Sequence, residues 1–261
     1  MSAFSDVSNA LRQPNIWFVL GVQDYRFQFG RTAAGLLWAF IQPALWITAI
    51  GFFFAPFMGN DSGAYIIHVA FGLAMFTFMS GAISEYGLCF MTHKTIIQNF
   101  SLPMFIHVLR DATRNTCRLA TELTVAFAAV IFLRHSLEPV ALLAVFGLAV
   151  NIIAAVAISL GVSMLTVRWR DIQFAIRAVM RLMFFMTPIL WSVDQTSGAR
   201  ATVANINPLT HFIEIVRQPI LGEVPTMLSY GVTSSVTLAA IIGSYVVFGL
   251  RKNNIALWAQ T

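Results

Sequence analysis

The sequence predicts an all-α integral membrane protein: about six transmembrane helices, an N-terminal interfacial helix, and a broken re-entrant hairpin before the last span. Three observations carry this. Hydrophobic residues make up 58% of the 261 and charged residues only 10%, with a mean hydropathy of +0.76, whereas soluble domains carry about 25% charged residues. Apolar stretches recur at lengths near the ~20 residues that cross a bilayer as helix. Lys and Arg collect on one side of those stretches, the positive-inside bias of membrane proteins.

Residues 1–13 are polar and lack the short apolar core of a secretory signal, so insertion rests on the first span. Residues 16–29 hold Trp17, Phe18, Leu20, Phe27 and Phe29 among Gln23, Asp24, Arg26 and Gln28, too polar to span but suited to a membrane surface. Residues 1–34 therefore read as a cytoplasmic N-terminus with an interfacial amphipathic helix. The first span, 35–57, is uncharged and closes at the turn Asn60-Asp61-Ser62-Gly63; the second is 65–84. Residues 85–111 include His93, Lys94, Gln98, Asn99, Pro103, His107 and Arg110 and must leave the hydrocarbon. Spans three and four, 112–133 and 140–167, flank a short polar turn.

A charged elbow follows, where Arg168, Arg170, Asp171, Arg177 and Arg181 crowd the start of the fifth span, 172–191. Residues 201–221 are interrupted by Asn205, Asn207-Pro208, His211, Glu214, Arg217 and Pro219, too broken for a span. Irregular backbone at membrane depth must be covered by protein or line water, so a short re-entrant or surface-lying helical hairpin is predicted. The last span, 227–250, ends at Arg251-Lys252 and leaves a tail at 251–261; residues 35–250 form one membrane domain. Of 16 Lys and Arg, only Arg134, Arg200 and Arg217 fall opposite the elbow, which places both termini and the elbow in the cytoplasm. This sidedness explains the net charge of +5 better than a nucleic-acid surface does.

Nucleotide and catalytic motifs are missing. No phosphate loop, His-Glu-x-x-His or Gly-x-Ser-x-Gly occurs, and His68, His93, His107, His135 and His211 are scattered. Cys89 and Cys117 form no Cys-x-x-Cys and read as small buried residues. Neither catalytic residues nor a metal site is expected. Asn99-Phe100-Ser101 fits a glycosylation pattern but falls on the cytoplasmic side.

Arg114, Arg118 and Glu122 are four apart and share a helix face; they either hold two helices together by an ion pair or line a conduction path. Arg177 and Arg181, one turn apart, either snorkel to the interface or attract an anionic group such as a pyrophosphate, which guanidinium binds in a bidentate manner. Met180, Met183, Phe184, Phe185 and Met186 read as packing. Trp38, Trp46, Phe52 and Phe53 of the first span either stack on sugar rings or serve as belt and packing residues.

Several segments carry a resemblance when taken in order. These are Phe29-Gly30-Arg31, Gly35-Leu36-Leu37-Trp38-Ala39 and Gln42-Pro43 at the first span, Arg170-Asp171 at the elbow with Pro188 beyond it, and Asn207-Pro208-Leu209 with His211, Ile213-Glu214 and Arg217. Together they resemble the membrane, or permease, subunit of bacterial ABC exporters for capsular polysaccharide and O-antigen. The resemblance implies a homodimer in the bacterial inner membrane that docks two copies of a separate ATPase subunit on its cytoplasmic face. ATP and Mg would be bound by that partner, leaving no cofactor in this chain and making it a transport subunit instead of an enzyme.

The cargo implied is a lipid-linked cell-surface polysaccharide. Its path would use Trp38, Trp46, Phe52, Phe53, Arg114, Arg118, Glu122, Arg177 and Arg181. The ATPase would meet Asn99, Phe100, Leu102, Pro103, Arg168, Arg170 and Asp171, and Asn207, Pro208, His211, Glu214 and Arg217 would form an extracytoplasmic hairpin. Two alternatives stay open. One keeps the architecture but exports a teichoic acid or a drug. The other is a polyprenyl-lipid-dependent transferase, for which only the Arg114, Arg118, Glu122 and His211, Glu214, Arg217 faces offer acid–base groups.

Overall fold

The computed structural model describes residues 3–30, 32–57, 62–192 and 198–258. Arg31, Asn60 and Asp61, invoked above at the two ends of the first span, lie outside the described residues. The chain is helical, with no strand among the described residues. Two helices, α1 (Ala3–Leu11) and α2 (Pro14–Phe27), precede α3 (Trp38–Phe54) and α4 (Ser62–Ser84). Two short pieces, α5 (Cys89–Thr92) and α6 (Lys94–Asn99), lead into α7 (Met104–Phe132) and α8 (Leu143–Arg168). The chain finishes with α9 (Ile172–Met186), α10 (Ala199–Ile206), α11 (Pro208–Ile220), α12 (Met227–Arg251) and α13 (Ile255–Trp258).

Among the described residues, five segments are long and apolar enough to cross a membrane: Gly35–Phe54, Ser62–Asn99, Met104–Phe132, Pro139–Arg168 and Met227–Arg251. The predicted fifth span differs. Helix α9 has 15 residues, about 22 Å at 1.5 Å per residue, against a hydrocarbon core of about 30 Å. It stops because Pro188 forces the residue before it out of helical geometry; Thr187 is extended, at φ −89° and ψ 137°. The chain then returns to α4, where the Tyr65 hydroxyl donates to the Leu190 carbonyl at 3.0 Å.

Helix α4 is the centre of the bundle, with 13 of its 23 residues buried against α3, α7, α8, α9 and α11. Where it ends, α8 hydrogen-bonds backbone carbonyls at and just beyond the terminus, where helices leave carbonyls without intrahelical partners. Ser159 donates to the Ala82 carbonyl (2.9 Å), Ser163 to Tyr86 (3.2 Å) and Thr166 to Gly87 (2.6 Å), and Asn115 of α7 adds a bond to the Phe78 carbonyl inside the helix (3.0 Å). These polar residues tie the end of α4 and the turn after it to α7 and α8.

The first 13 residues, polar in sequence, are mostly helix α1, and α1 caps α7. The Asp6 carboxylate accepts from the backbone N–H groups of Met104 (3.2 Å) and Phe105 (3.0 Å), with Lys252 Nζ 3.8 Å away. A carboxylate there also opposes the positive end of the helix dipole. Helix α2 does not simply rest on a lipid surface: it packs along α7. Arg110 donates twice to Asp24 (2.6 and 2.7 Å), the Tyr25 and Thr121 hydroxyls bond at 2.7 Å, and a Cβ on Gly21 would lie 2.6 Å from the Arg110 carbonyl oxygen. The contacts of α1 with α7 and α12, and of α13 with α6 and α8, gather both terminal segments at one end of the bundle.

The broken segment is two helices parted at Asn207-Pro208. Asn207 caps α11 by accepting from the Leu209 N–H at 3.0 Å, and Pro208 fits the first turn, where no amide is needed. Helix α11 is not surface-lying: 11 of its 13 residues are buried among α4, α8 and α12.

Candidate functional site

Two concavities that share Phe184 in their lining and one buried polar knot hold most of the charged residues singled out in the sequence. The first is a cavity of about 650 Å³ between α2, α3, α4 and α7, lined by Tyr25, Gln42, Trp46, Glu85, Arg118 and Glu122 among others. The four-residue spacing on α7 stacks Arg114, Arg118 and Glu122 along one face. Glu85, just past the end of α4, bridges both arginines at 3.2 Å each, and Arg118 also donates to Glu122 at 3.2 Å. The four charges cancel in pairs. The Arg114 guanidinium also lies 4.7 Å from the centre of the Tyr86 ring, a cation–π contact. The second Glu122 oxygen, Oε2, is buried without a hydrogen-bond partner in this ionic cluster. Tyr25 borders the same cavity; burial raises its phenol above the ordinary range, so it stays neutral and hydrogen-bonded to Thr121.

Beside it runs a groove of about 690 Å³ lined by Phe76, Ser80, Ser84, Phe174, Arg177 and Arg181, with Met180 and Phe184 completing it. Both arginines are exposed, and neither is paired with a carboxylate among the described residues. Arg177 is 3.5 Å from Gln173 Oε1. Phe184 borders both spaces and packs edge-on to Phe76 at 5.5 Å, so one aromatic side chain separates the paired charges from the unpaired ones.

The polar knot is on α11. Arg217 is 2% exposed, and donates to Glu214, to the Pro188 carbonyl (2.6 Å) and toward His68 Nε2 (2.9 Å). Gly72 of α4 makes room for it: a Cβ there would lie 3.1 Å from the guanidinium. His211 bridges Ser229 of α12 (3.0 Å) and the Asn205 carbonyl (2.8 Å), and Asn207 donates to Thr187 at 2.8 Å. The residues of the interrupted segment thus fasten α4, α12 and the 187–191 turn together. This is a structural arrangement, in which Arg217 makes three hydrogen bonds to protein groups.

Of the aromatic residues, the structure brings Trp46 to the cavity but not Trp38, Phe52 or Phe53. Along the first span the cavity is lined only within residues 39–47, and Phe52 and Phe53 lie more than a turn beyond it; Trp38 is exposed, and Phe52 and Phe53 form an edge-to-face pair at 5.3 Å on the outer surface. At the end that holds the termini, Asn99, Phe100, Arg168, Arg170 and Asp171 are exposed, and Leu102 and Pro103 half-buried. The Arg168 guanidinium lies between Trp169 and Trp258, 5.9 and 5.6 Å from their ring centres, and α13 touches both α6 and α8. Glu85, Tyr25, Ser80 and Ser84 belong to the two concavities and were not singled out above, and Gln42 was named only for the resemblance. The signal for Glu85 was its place at the end of the second span, on the side of Arg114 and Arg118.

The family described as ABC-2 type transporter matches residues 17–221. That stretch takes in most of α2 and all of α3 to α11, and so the lining of both concavities and the α11 residues of the polar knot. Two similar relatives are O-antigen export system permease proteins RfbA of Klebsiella pneumoniae. One is 22% identical over 214 residues, covering 79% of this chain and 80% of the relative. The other is 22% identical over 203 residues, covering 75% and 76%.

Proposed function

The chain belongs to the ABC-2 type transporter family, and from that premise we propose that it exports a lipid-linked cell-surface polysaccharide of the O-antigen class. It is a multi-pass membrane protein and the transport subunit of an ABC transporter, in which a separate subunit hydrolyses ATP. In our reading it sits in the bacterial inner membrane with both termini in the cytoplasm, pairs with a second copy of itself, and carries two ATPase subunits. Those subunits bind ATP and Mg. They dock on the end that holds the termini, at Asn99, Phe100, Leu102, Pro103, Arg168, Arg170 and Asp171.

The observation that carries the cargo assignment is the groove with two exposed arginines one turn apart, unpaired with any carboxylate among the described residues. Guanidinium forks match the oxygens of a pyrophosphate, and serine hydroxyls of α4 line the opposite wall. Past Phe184, the cavity offers Trp46 and the Arg118–Glu122 pair, an aromatic face and a polar edge of the kind that receives sugar rings. The similarity to proteins named as O-antigen export permeases supports the same cargo.

Deletion of the gene tests the proposal. Surface glycan should disappear while polyprenyl-linked glycan accumulates inside the cell, and the intact chain should restore export. Restoration by a chain with both Arg177→Gln and Arg181→Gln would remove the groove from the path, and unchanged surface glycan after deletion would remove the cargo assignment.

A further inference from the structure

We propose that Cys89, His93, His107 and Asp111 form a tetrahedral site for a divalent transition metal of the zinc type. The two pairs come from facing elements: Cys89 and His93 are four apart on the helical turn of α5, and His107 and Asp111 are four apart on α7. Such spacing puts both members of each pair on one face. The Cys89 sulfur, a His93 ring nitrogen and an Asp111 oxygen all lie within 4.8 Å of one another. Metal–ligand bonds of about 2.0–2.3 Å put the edges of a tetrahedral site at roughly 3.3–3.7 Å, so closing on an ion takes about an ångström of side-chain movement.

His107 is the independent sign of a ligand. It is 2% exposed, and neither ring nitrogen has a hydrogen-bond partner, whereas buried polar side chains are nearly always paired. Its ring lies 5.5 Å from that of His93. Two imidazoles on one tetrahedral ion hold their ring centres roughly 5 Å apart, given metal–nitrogen bonds of about 2.0–2.1 Å. An ion would take the place of the hydrogen bond between His93 Nε2 and Asp111 at 3.0 Å, the Nε2 proton moving to Nδ1 so that the ring stays neutral and Nε2 is free to ligate.

Charge and softness point the same way. A thiolate and a carboxylate offset a divalent ion, leaving a neutral buried group. The neighbouring Arg110 is already neutralised by Asp24 and Arg114 by Glu85. Sulfur and imidazole donors select zinc-type ions over magnesium or calcium. The shell is apolar, including Phe90, Ile97, Phe105, Ile106, Val108 and Leu109. Binding displaces the Cys89 thiol proton to solvent and forms the sulfur–metal bond, fastening the segment after α4 to α7.

The test uses the full chain purified in detergent, stripped with a chelator and titrated with Co²⁺. The expected result is a thiolate-to-cobalt charge-transfer band with tetrahedral ligand-field bands, saturating at one ion per chain and abolished by Zn²⁺. Cys117→Ser keeps the band. Cys89→Ser loses it, and Asp111→Asn or His107→Gln weakens binding by at least the 10–100-fold that loss of an outer partner of a metal ligand costs. Absence of saturable one-to-one binding by the unaltered chain overturns the proposal, without reliance on any variant's folding. So does an undiminished band in Cys89→Ser; unchanged affinity in His107→Gln overturns the fourth ligand.

Discussion

Replacing Arg217 with Met removes the centre of the α11 knot while keeping an unbranched apolar stem. Arg217 is 2% exposed, and its three protein partners are Glu214, the Pro188 carbonyl and His68. The variant leaves the Glu214 carboxylate, itself only 9% exposed, without its counter-ion. Removing one member of a buried ion pair costs about 3–5 kcal/mol. At about 2–4 °C per kcal/mol for a chain of this size, Tm falls by about 6–20 °C. The assay is thermal unfolding of the detergent-solubilised chain, read by intrinsic fluorescence. Adding Glu214→Met to Arg217→Met removes the stranded charge and recovers most of the loss, because the penalty lies in the unpaired carboxylate and not in the missing contact. A single variant within about 1 kcal/mol of the unaltered chain, or a double variant as unstable as the two single changes summed, refutes this reasoning.

Gly147 on α8 packs against α11 so closely that an added Cβ would overlap the Ile215 carbonyl, whereas Gly243 has nothing within 4 Å of such an atom. Gly147→Ala should lower stability by about 1–3 kcal/mol, and Gly243→Ala should leave it unchanged or raise it by about 0.5–1 kcal/mol, both read from the same melts. Asp24→Arg should loosen α2 from α7 by breaking the two-point contact with Arg110, and Arg110→Asp in the same chain should restore part of the protection of α2 amides in hydrogen exchange. Arg177→Gln with Arg181→Gln should weaken retention of a radiolabelled polyprenyl pyrophosphate by tenfold or more; the measurement is equilibrium binding to the purified chain. Asp171→Ala should reduce export while membrane insertion, followed by fractionation, stays normal.

Hydropathy and charge made the helical membrane architecture legible, because lipid admits few other structures to a single chain with such long apolar segments. The face shared by Arg114, Arg118 and Glu122 was equally legible, since helical spacing alone aligns them. So was the break at Asn207-Pro208, which carries both a capping side chain and an imino acid suited to the first turn. What sequence left open was pairing between distant segments. Glu85 stands 29 and 33 positions from the arginines it bridges, and Asp24 stands 86 positions from Arg110. The polar look of residues 1–13 concealed α1, whose Asp6 finds its partners 98 and 99 positions later. Helix α9 was overextended because hydropathy continues through Ile189 and Leu190, whereas Pro188 ends the backbone pattern first. The histidines looked scattered because a four-residue spacing to Cys89 or Asp111 carries meaning only once α5 faces α7.

The claim that this transport subunit moves a lipid-linked polysaccharide is tested most directly in everted inner-membrane vesicles holding the chain and its ATPase partner, loaded outside with polyprenyl pyrophosphate-linked glycan. The account predicts ATP-dependent passage of the glycan into the lumen, abolished when either subunit is omitted and reduced by Arg177→Gln with Arg181→Gln. Vesicles that hydrolyse ATP normally yet leave the glycan outside, or that admit it equally without this chain, would contradict it.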